Sequence, residues 1–455
     1  MVIGPIVRIN PYEVHINDPE FYDEIYVGPS RRTEKWGWSA NMFGTSQAAV
    51  GTVSHDLHRV RRSGLNPFFS KRSVLRLEPT TQANIDRLCS RLRDFARTGT
   101  PVNLADAFTC LSADVIGAYA FGQTYDFLER KDFYPEWRRL MMDLSRSSHL
   151  MKQLGWVYAI MTKVPDSLLS ILSVVHPLTR ELFRLQNGIT QQILRIKAEE
   201  DSSNEKLPVS DEHPTIFHDI LRSKLPPSEL KVDRLTEEGI TIIGAGTVTT
   251  AHTLTTICYH LLANPSKLER LRDEIGTLDT TVPGSSSRWR ELEQLPYLSA
   301  VISEGLRMSY GVSHRLQRVS PDSALQYRQW TIPAGTPVSM TQMFIHEDPS
   351  IFTSPSSFLP ERWLPGAPDS ATLKKYLVPF SKGTRQCVGM NLAYAEIYLA
   401  LGALFQPVEM GGVDMELFET DRSDVDVAHD FFNPSPRLDS KGVRVLIRRG
   451  DENIC

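Results

Sequence analysis

The sequence has few cysteines and no excess of charge of either sign. Its 455 residues include five cysteines and no Cys-x-x-Cys pair, which argues against a disulfide framework or a cysteine-rich zinc site and favours a reducing compartment. Fifty lysines and arginines against 54 aspartates and glutamates give a formal net charge of −4. Because a phosphate-binding surface normally shows as a basic excess, this balance argues against a nucleic-acid-binding protein.

Long apolar runs are also lacking. No stretch approaches 18 consecutive apolar residues, and the N-terminal residues have neither a basic n-region nor an apolar h-region. We therefore expect a chain without a transmembrane anchor or a secretory leader. Hydrophobic residues make up 41% of the sequence and aromatic residues 9%, which excludes a disordered chain.

Hydrophobic spacing predicts a mainly helical chain with a minor sheet. In one segment apolar residues step by 4, 3, 4, 4 and 3, the spacing of one helix face; they are Leu178, Leu182, Leu185, Ile189, Ile193 and Ile196. Further helices are predicted over 233–263, 266–278, 297–308 and 388–405. Other predicted elements are short strands within 5–27, a surface loop over 201–213, and a hairpin over 326–340 that turns at 333–335. With no internal repeat or composition shift, we expect one domain over residues 1–455.

The segment FSKGTRQCVGMNLAYAE, which begins at Phe380, carries the clearest chemical signal. It places Cys387 between two glycines, two residues after Arg385 and directly before an apolar helix. A cysteine at a helix start meets unpaired N–H groups and the positive end of the dipole, which lowers its pKa and favours a metal-ligating thiolate. Arg385 could pair with a carboxylate of a flat ligand. The alternative, a buried free cysteine, suits Cys89, Cys110 and Cys258 better.

This segment resembles the cysteine loop of the cytochrome P-450 family, FxxGxRxCxGxxLA. All seven fixed letters are matched, by Phe380, Gly383, Arg385, Cys387, Gly389, Leu392 and Ala393. The resemblance implies a mainly α fold with a small β-sheet subdomain and one haem b. Cys387 would be its iron ligand, and Phe380, Arg385 and Gly389 would lie against it. The likeness covers essentially the whole chain and is closest to fungal enzymes of secondary metabolism, although their N-terminal anchor and first helix are expected to be missing.

Two further groups of residues match the family. Glu304 and Arg307 share one helix face, and Arg362 follows in a PER motif; the resemblance implies that these three form a buried charge triad with a structural role. His58 and Arg62 occupy the positions of the family's WxxxR signature, with histidine in place of tryptophan. Together with Arg318 and Arg385, they are expected to bind the haem propionates.

The segment IIGAGTVTTAH lies within the longest predicted helix. Ala245, Gly246, Thr249 and Thr250 match the family's oxygen-binding pattern [AG]Gx[DE]T[TS], and the resemblance implies that Thr249 and Thr250 are catalytic. Val248 stands where the family has an acid that relays protons, and valine can neither donate nor accept them. Either other groups and water rebuild the relay, or oxygen is activated less tightly, or the reaction needs less proton delivery.

The resemblance implies a monooxygenase that uses O2 and NADPH-derived electrons on a small lipophilic metabolite, such as a terpenoid or polyketide. No dinucleotide fingerprint is present, so the electrons would come from a separate NADPH–cytochrome reductase. Its docking face would include Lys374, Lys375, Lys382 and Arg61. Two alternatives stay open: a reductase-independent haem-thiolate isomerase or dehydratase, and an inactive haem-binding remnant.

Family resemblance also outlines the pocket and the location. The pocket walls would come from Trp36, Trp38, Met42, Phe43, 310–313, Phe431 and Phe432, although core packing explains each of them equally well. We expect the protein at the cytosolic face of the endoplasmic reticulum membrane, with the cytosol as the alternative. The apolar segment 164–175 would provide a peripheral membrane contact.

Overall fold

The computed structural model describes residues 4–154, 177–202, 215–278 and 287–448. Within them the chain forms fifteen α-helices and four small sheets, so the predicted mainly α fold is confirmed. The helices are α1 (Tyr22–Ile25), α2 (Gly37–Ala40), α3 (His55–Leu65), α4 (Lys71–Thr98), α5 (Leu104–Phe121), α6 (Pro135–Gln153), α7 (Pro177–Ser202), α8 (Ile216–Arg222), α9 (Val232–Leu262), α10 (Pro265–Gly276), α11 (Arg288–Leu292), α12 (Pro296–Ser309), α13 (Gln342–His346), α14 (Ser370–Tyr376) and α15 (Met390–Phe405).

The strands are short and lie mostly at the two ends of the chain. They are β1 (Ile6–Arg8), β2 (Val14–Ile16), β3 (Val102–Asn103), β4 (Arg318–Val319), β5 (Leu325–Tyr327), β6 (Trp330–Ile332), β7 (Pro337–Ser339), β8 (Met415–Leu417), β9 (His429–Phe431), β10 (Asn433–Ser435) and β11 (Arg444–Ile447). The largest sheet has the order β1-β2-β7-β4, with β2 parallel to β7 and the other pairs antiparallel. Strand β4 pairs Arg318 with Val338 and so fixes the position of Arg318.

Helix α9 runs through the main core and contacts α5, α7, α12 and α15. Its neighbour α5 is, within the described residues, the one helix long and apolar enough to cross a membrane, and 89% of it is buried inside the protein. Local signals set the ends of α5: the Asn103 side chain accepts a hydrogen bond from the Ala105 N–H at 2.9 Å, and Gly122 ends the helix in the left-handed conformation.

Most predicted elements are present with shifts of one or two residues. The predicted hairpin is wrong, because β6 pairs with β5 around a turn at Arg328, which has a φ of 50°. The predicted turn at 333–335 instead carries the chain from β6 into β7, which belongs to another sheet. The segment 164–175 and most of the 201–213 loop lie outside the described residues. One domain over 1–455 stays a prediction.

Candidate haem and substrate site

The segment from Phe380 to Gly389 forms a tight loop that ends at the start of α15. The Cys387 N–H donates to the Phe380 carbonyl at 3.0 Å, which closes the loop, and the Phe380 ring packs against Tyr394 at 5.3 Å. Gly383 has a φ of 77°, and a Cβ there would lie 2.2 Å from the Val27 carbonyl oxygen. Only glycine therefore allows the loop to lie against the segment after α1.

Cys387 combines an exposed side chain with close protein surroundings. It is exposed, whereas Cys89, Cys110 and Cys258 are buried, as the sequence indicated. The expected fall in the Cys387 pKa is not found. Although the side chain is exposed, the protein atoms around it withdraw it from bulk water, and this desolvation raises the pKa of Cys387 more than the Gly389 N–H and the charge of Arg62 lower it. The dipole argument overlooked desolvation, which here outweighs the helix start.

Positive charges gather beside the loop. The predicted residues His58, Arg62, Arg318 and Arg385 lie close enough for all three guanidinium charges to act on His58, and Lys35 joins them. Burial first, and then these four charges, lower the pKa of His58 to about 2. Burial and the charges of Arg318 and Arg385 likewise depress the pKa of Lys35 well below its usual range. Sequence reasoning missed Lys35, because a single lysine in a loop carries no pattern.

Arg385 has a second role that the sequence did not indicate. Its guanidinium donates to the carbonyl oxygens of Thr52 and Val53 at 2.7 Å each, directly before α3. It thus ties the cysteine loop to the helix that carries His58 and Arg62. Within the described part of the chain its Nε has no hydrogen-bond partner, so one donor is left for a ligand.

These residues fit a haem. A thiol that can ligate iron lies beside Arg62, and the cations around His58 match two propionates in sign. His58 Nδ1 and Arg385 Nε are buried without partners among the described residues, which is unusual unless a ligand accepts or donates there. A Cβ at Gly389 or at Gly244 of α9 would meet no atom within 4 Å, so both backbones border open space.

Helix α9 presents a partly exposed stripe in the middle of an otherwise buried span. Ala245, Val248, Thr249 and His252 form this stripe at helical spacing. The Thr249 hydroxyl donates to the Ala245 carbonyl at 2.9 Å, so its oxygen lone pairs are left to accept a hydrogen bond. Thr250 is buried one residue further on and does not share this face. His252 is the member that the sequence analysis missed.

Close packing explains one of the two glycines in this segment of α9 but not the other. A Cβ at Gly246 would lie 3.0 Å from the Ile116 side chain, so Gly246 permits close packing of α9 on α5. A Cβ at Gly244 would meet nothing within 4 Å, so packing does not explain that residue.

The predicted charge triad is present: Glu304 and Arg307 are fully buried, and the Arg362 side chain is 9% exposed. Arg307 donates to both carboxylate oxygens of Glu304 at 2.8 and 2.9 Å, and Arg362 Nε lies 3.3 Å from Glu304 Oε1. The Leu359 N–H and the Trp363 Nε1–H also donate to Glu304, at 2.9 and 2.8 Å. Every acceptor position of the carboxylate is used, as a structural role requires.

The proposed docking face needs one correction. Arg61 is buried, and its Nε donates to Glu229 at 2.8 Å, so it cannot form part of a docking surface. Its place in the hydrophilic run HDLHRVRR gave no hint of this, because the partner Glu229 lies far along the chain. Lys374 is exposed, while Lys375 and Lys382 pair with Glu20 at 2.6 Å and Asp23 at 2.8 Å.

The predicted pocket walls converge. The Phe43 ring contacts Phe432 edge-on at 4.9 Å, Trp36 lies 4.7 Å from Trp38, and the Ser313 N–H donates to the Phe432 carbonyl at 3.0 Å. A polar cluster of Lys152, His314 and Asp430 lies among these walls, which sequence reasoning treated as wholly apolar.

Comparisons with known proteins agree with this geometry. A family model described as Cytochrome P450 matches residues 3–416. The N-acetyltryptophan 6-hydroxylase of Emericella nidulans is 44% identical over 451 residues, covering 98% of this chain and 85% of that relative. The tryptophan 6-hydroxylase of Fusarium equiseti is 42% identical over 449 residues, and a cytochrome P450 monooxygenase of Cochliobolus heterostrophus 42% identical over 461, each with the same coverage.

Proposed function

The chain belongs to the cytochrome P450 family of monooxygenases, and we propose that it hydroxylates a small, mostly apolar precursor of a fungal secondary metabolite. In this reaction substrate, O2, NADPH and a proton give the hydroxylated product, water and NADP⁺. A separate flavoprotein reductase would deliver the electrons. The observation that carries the proposal is the exposed Cys387 on its closed loop, beside a group of cations with no carboxylate within ion-pair distance among the described residues.

Each group of the site has a role. Cys387 would supply the sulfur that ligates the iron, and the propionates would be held by Lys35, His58, Arg62, Arg318 and Arg385. When bound, haem supplies the iron centre at which O2 is reduced and one oxygen atom is passed to the substrate. Phe43 and Phe432 exclude water and hold an apolar substrate body against the open stripe of α9.

Proton delivery needs a group other than the absent acid at Val248. His252 lies one helical turn after Thr249 on the same partly exposed stripe. Burial lowers its pKa to about 4, so at neutral pH one ring nitrogen holds a proton and the other accepts one. We propose that His252, through water, passes protons toward the acceptor side of the Thr249 hydroxyl.

The names of the relatives add one class of substrate to the candidates. Two of them are named for hydroxylation of tryptophan or N-acetyltryptophan, so an aromatic substrate joins the terpenoid and polyketide candidates. We place the protein at the cytosolic face of the endoplasmic reticulum membrane, as is typical of the family. A reductase-independent isomerase or dehydratase is the second candidate: Val248 favours it, and the stripe shared by Thr249 and His252 argues against it.

The spectrum of the reduced, CO-bound protein tests this proposal. We expect the red-shifted Soret band of a thiolate-ligated haem, lost in Cys387→Ala and kept in the control Cys258→Ala, whose thiol is buried elsewhere. Product that forms only with NADPH and reductase would support oxygenation. Product without either would favour the isomerase, and an unchanged band in Cys387→Ala would contradict the assigned ligand.

A further inference from the structure

Three segments far apart in sequence meet at one polar cluster. The end of α6 contributes Lys152, the segment after α12 contributes Ser313 and His314, and strand β9 contributes Asp430. The Lys152 ammonium lies 2.9 Å from His314 Nε2, and His314 Nδ1 lies 3.0 Å from Asp430 Oδ2. Lys152 and His314 are buried, at 6% and 1% exposure.

The cluster lies beside the substrate walls. The Lys152 ammonium lies 5.0 Å from the centre of the Trp38 ring, and Ser313 and His314 both donate backbone N–H groups to the Phe432 carbonyl. Two residues earlier, a Cβ at Gly311 would lie 2.2 Å from the Pro379 carbonyl, so this segment packs against the start of the cysteine loop. Lys152 therefore lies beside the predicted substrate walls, and the segment that carries His314 packs against the chain directly before the cysteine loop.

Hydrogen bonding fixes the charge of each member. Burial lowers the pKa of His314, so its ring is neutral; its Nδ1–H donates to Asp430 and its Nε2 accepts from the Lys152 ammonium. The Asp430 carboxylate also accepts from Ser313 Oγ and the Phe432 N–H at 2.9 Å each. The Asp430 carboxylate thus accepts three hydrogen bonds from within the chain, and at 41% side-chain exposure it is also partly solvated.

The Lys152 ammonium lacks a full set of hydrogen-bond acceptors among the described residues. An ammonium has three N–H donors, and within the part of the chain that the structure describes one acceptor, His314 Nε2, meets it. That acceptor is neutral, and Asp430 lies beyond it. One turn earlier on the same face of α6, the buried Ser148 hydroxyl also has no partner among the described residues. The buried side of the cluster therefore has one positive charge and spare donors.

The backbone conformation beside the polar cluster also favours a functional role for the cluster. Tyr310 and Phe432 have φ angles of 60° and 70°, a left-handed conformation that costs non-glycine residues free energy. Asp430 and Ser313 hold Phe432 in it through the hydrogen bonds described above. A metal ion is not the natural ligand, although His149, His314 and Asp430 offer three ligand atoms within 4.8 Å, because the Lys152 ammonium would repel it.

We infer that Lys152 binds a carboxylate of the substrate, so that the substrate is a monoanionic acid with an aromatic or otherwise apolar body. This deepens the proposed function by naming its substrate class. A single ammonium matches a single negative charge, whereas a phosphate would need more donors than the cluster offers. Trp38, Phe43 and Phe432 would contact the apolar body.

Calorimetric titration of the haem-loaded protein with matched acids and amides tests this inference. The pairs are 3-phenylpropionic acid and its amide, indole-3-propionic acid and its amide, and decanoic acid and its amide. In at least one pair the acid should bind about ten- to a hundredfold more tightly than the amide, which is the usual range for a buried charge-assisted hydrogen bond. In Lys152→Met the two members of that pair should bind equally.

Two variants control for the substitution itself. Lys152→Arg keeps the charge and should retain most of the preference for acids, and Lys374→Met removes an exposed lysine and should leave it unchanged. Equal affinities in every pair, a preference that persists in Lys152→Met, or no binding of any acid would overturn the inference. The titration uses neither NADPH nor reductase, so it is independent of whether the protein oxygenates a substrate.

Discussion

Two groups of charged side chains in this protein differ in whether the chain itself supplies the opposite charge. In the triad of Glu304, Arg307 and Arg362, the carboxylate accepts two hydrogen bonds from Arg307, one from a backbone N–H and one from an indole N–H, so no acceptor position is left over, and Arg362 lies at ion-pair distance. In the group around His58, no carboxylate lies within ion-pair distance of Lys35, Arg62, Arg318 or Arg385 among the described residues.

The difference separates residues that build the fold from residues that bind a ligand. Burying charge is costly, so a structural cluster must satisfy itself within the chain, as the triad does. A cluster that keeps one sign of charge and unpartnered donors is stable only where the fold elsewhere compensates for it, which is typical of a ligand site. Lys152 belongs to this second kind.

Removing the carboxylate of the triad should have the largest effect. Glu304→Ala strands two buried guanidinium groups and the Trp363 indole N–H, so we expect a loss of about 3 to 5 kcal/mol in the free energy of unfolding. Urea unfolding and the yield of soluble protein measure it.

Glu361→Ala is the matched control. Glu361 belongs to the PER motif that also contains Arg362, but it pairs with Lys267 at 3.2 Å, and 41% of its side chain is exposed. It should cost about 1 kcal/mol or less. Equal losses in the two variants would mean that the saturation of Glu304 does not stabilise the fold.

Removing a cation from the second group should leave the fold intact and weaken haem binding. Arg62→Ala deletes a partly buried charge that acts on Cys387 and His58, and the one side-chain hydrogen bond that Arg62 makes to a described residue, to Asn66 Oδ1 at 2.7 Å, is local. We expect roughly a tenfold or greater fall in haem affinity, measured by haem transfer to an acceptor globin, with little change in unfolding.

Arg59→Ala, an exposed site on the same helix, is the control and should retain haem. If Arg62→Ala instead unfolds the protein while keeping full haem affinity, the division between the two groups of charges fails.

The fold and the cysteine loop of the site were predictable because they rest on local patterns. Helical spacing located α9 and α12, and the spacing of glycine, arginine and cysteine located the loop of Cys387. The hairpin was misplaced because strand pairing depends on the distant partners of β7, which no local pattern contains. The fall in the Cys387 pKa was wrongly expected because burial is a property of the whole fold.

Contacts between distant segments explain the remaining misses. Arg61 resembles its exposed neighbour Arg59 in sequence, and its hydrogen bonds to Glu229, Thr52 and Ser46 distinguish it. Lys35 and Lys152 carry no motif, and each gains its role from groups brought in from elsewhere in the chain. Charge state and unmet hydrogen bonding are three-dimensional properties, so a sequence pattern predicts where a cofactor loop lies better than what a pocket recognises.

The smallest expected effect comes from His252. It tests whether this residue, like the cations around His58, serves function and not the stability of the fold. His252→Phe keeps the ring volume but removes both nitrogens, and no described side chain depends on them for a hydrogen bond. Haem content should therefore be unchanged. The fraction of NADPH electrons that end in product should fall roughly two- to tenfold, less than the 10²–10⁴ of a sole proton donor, because water can still reach Thr249.

Measuring product, hydrogen peroxide and NADPH together separates slow proton delivery, which diverts electrons into peroxide at an unchanged rate of NADPH consumption, from slow reduction, which lowers that rate. Val248→Leu is the control on the same stripe of α9, because it changes packing but adds no proton carrier, and its coupling should stay near that of the parent. If His252→Phe couples as well as the parent while Thr249→Ala does not, protons reach Thr249 by water alone. The stripe of α9 would then shape the pocket without carrying protons.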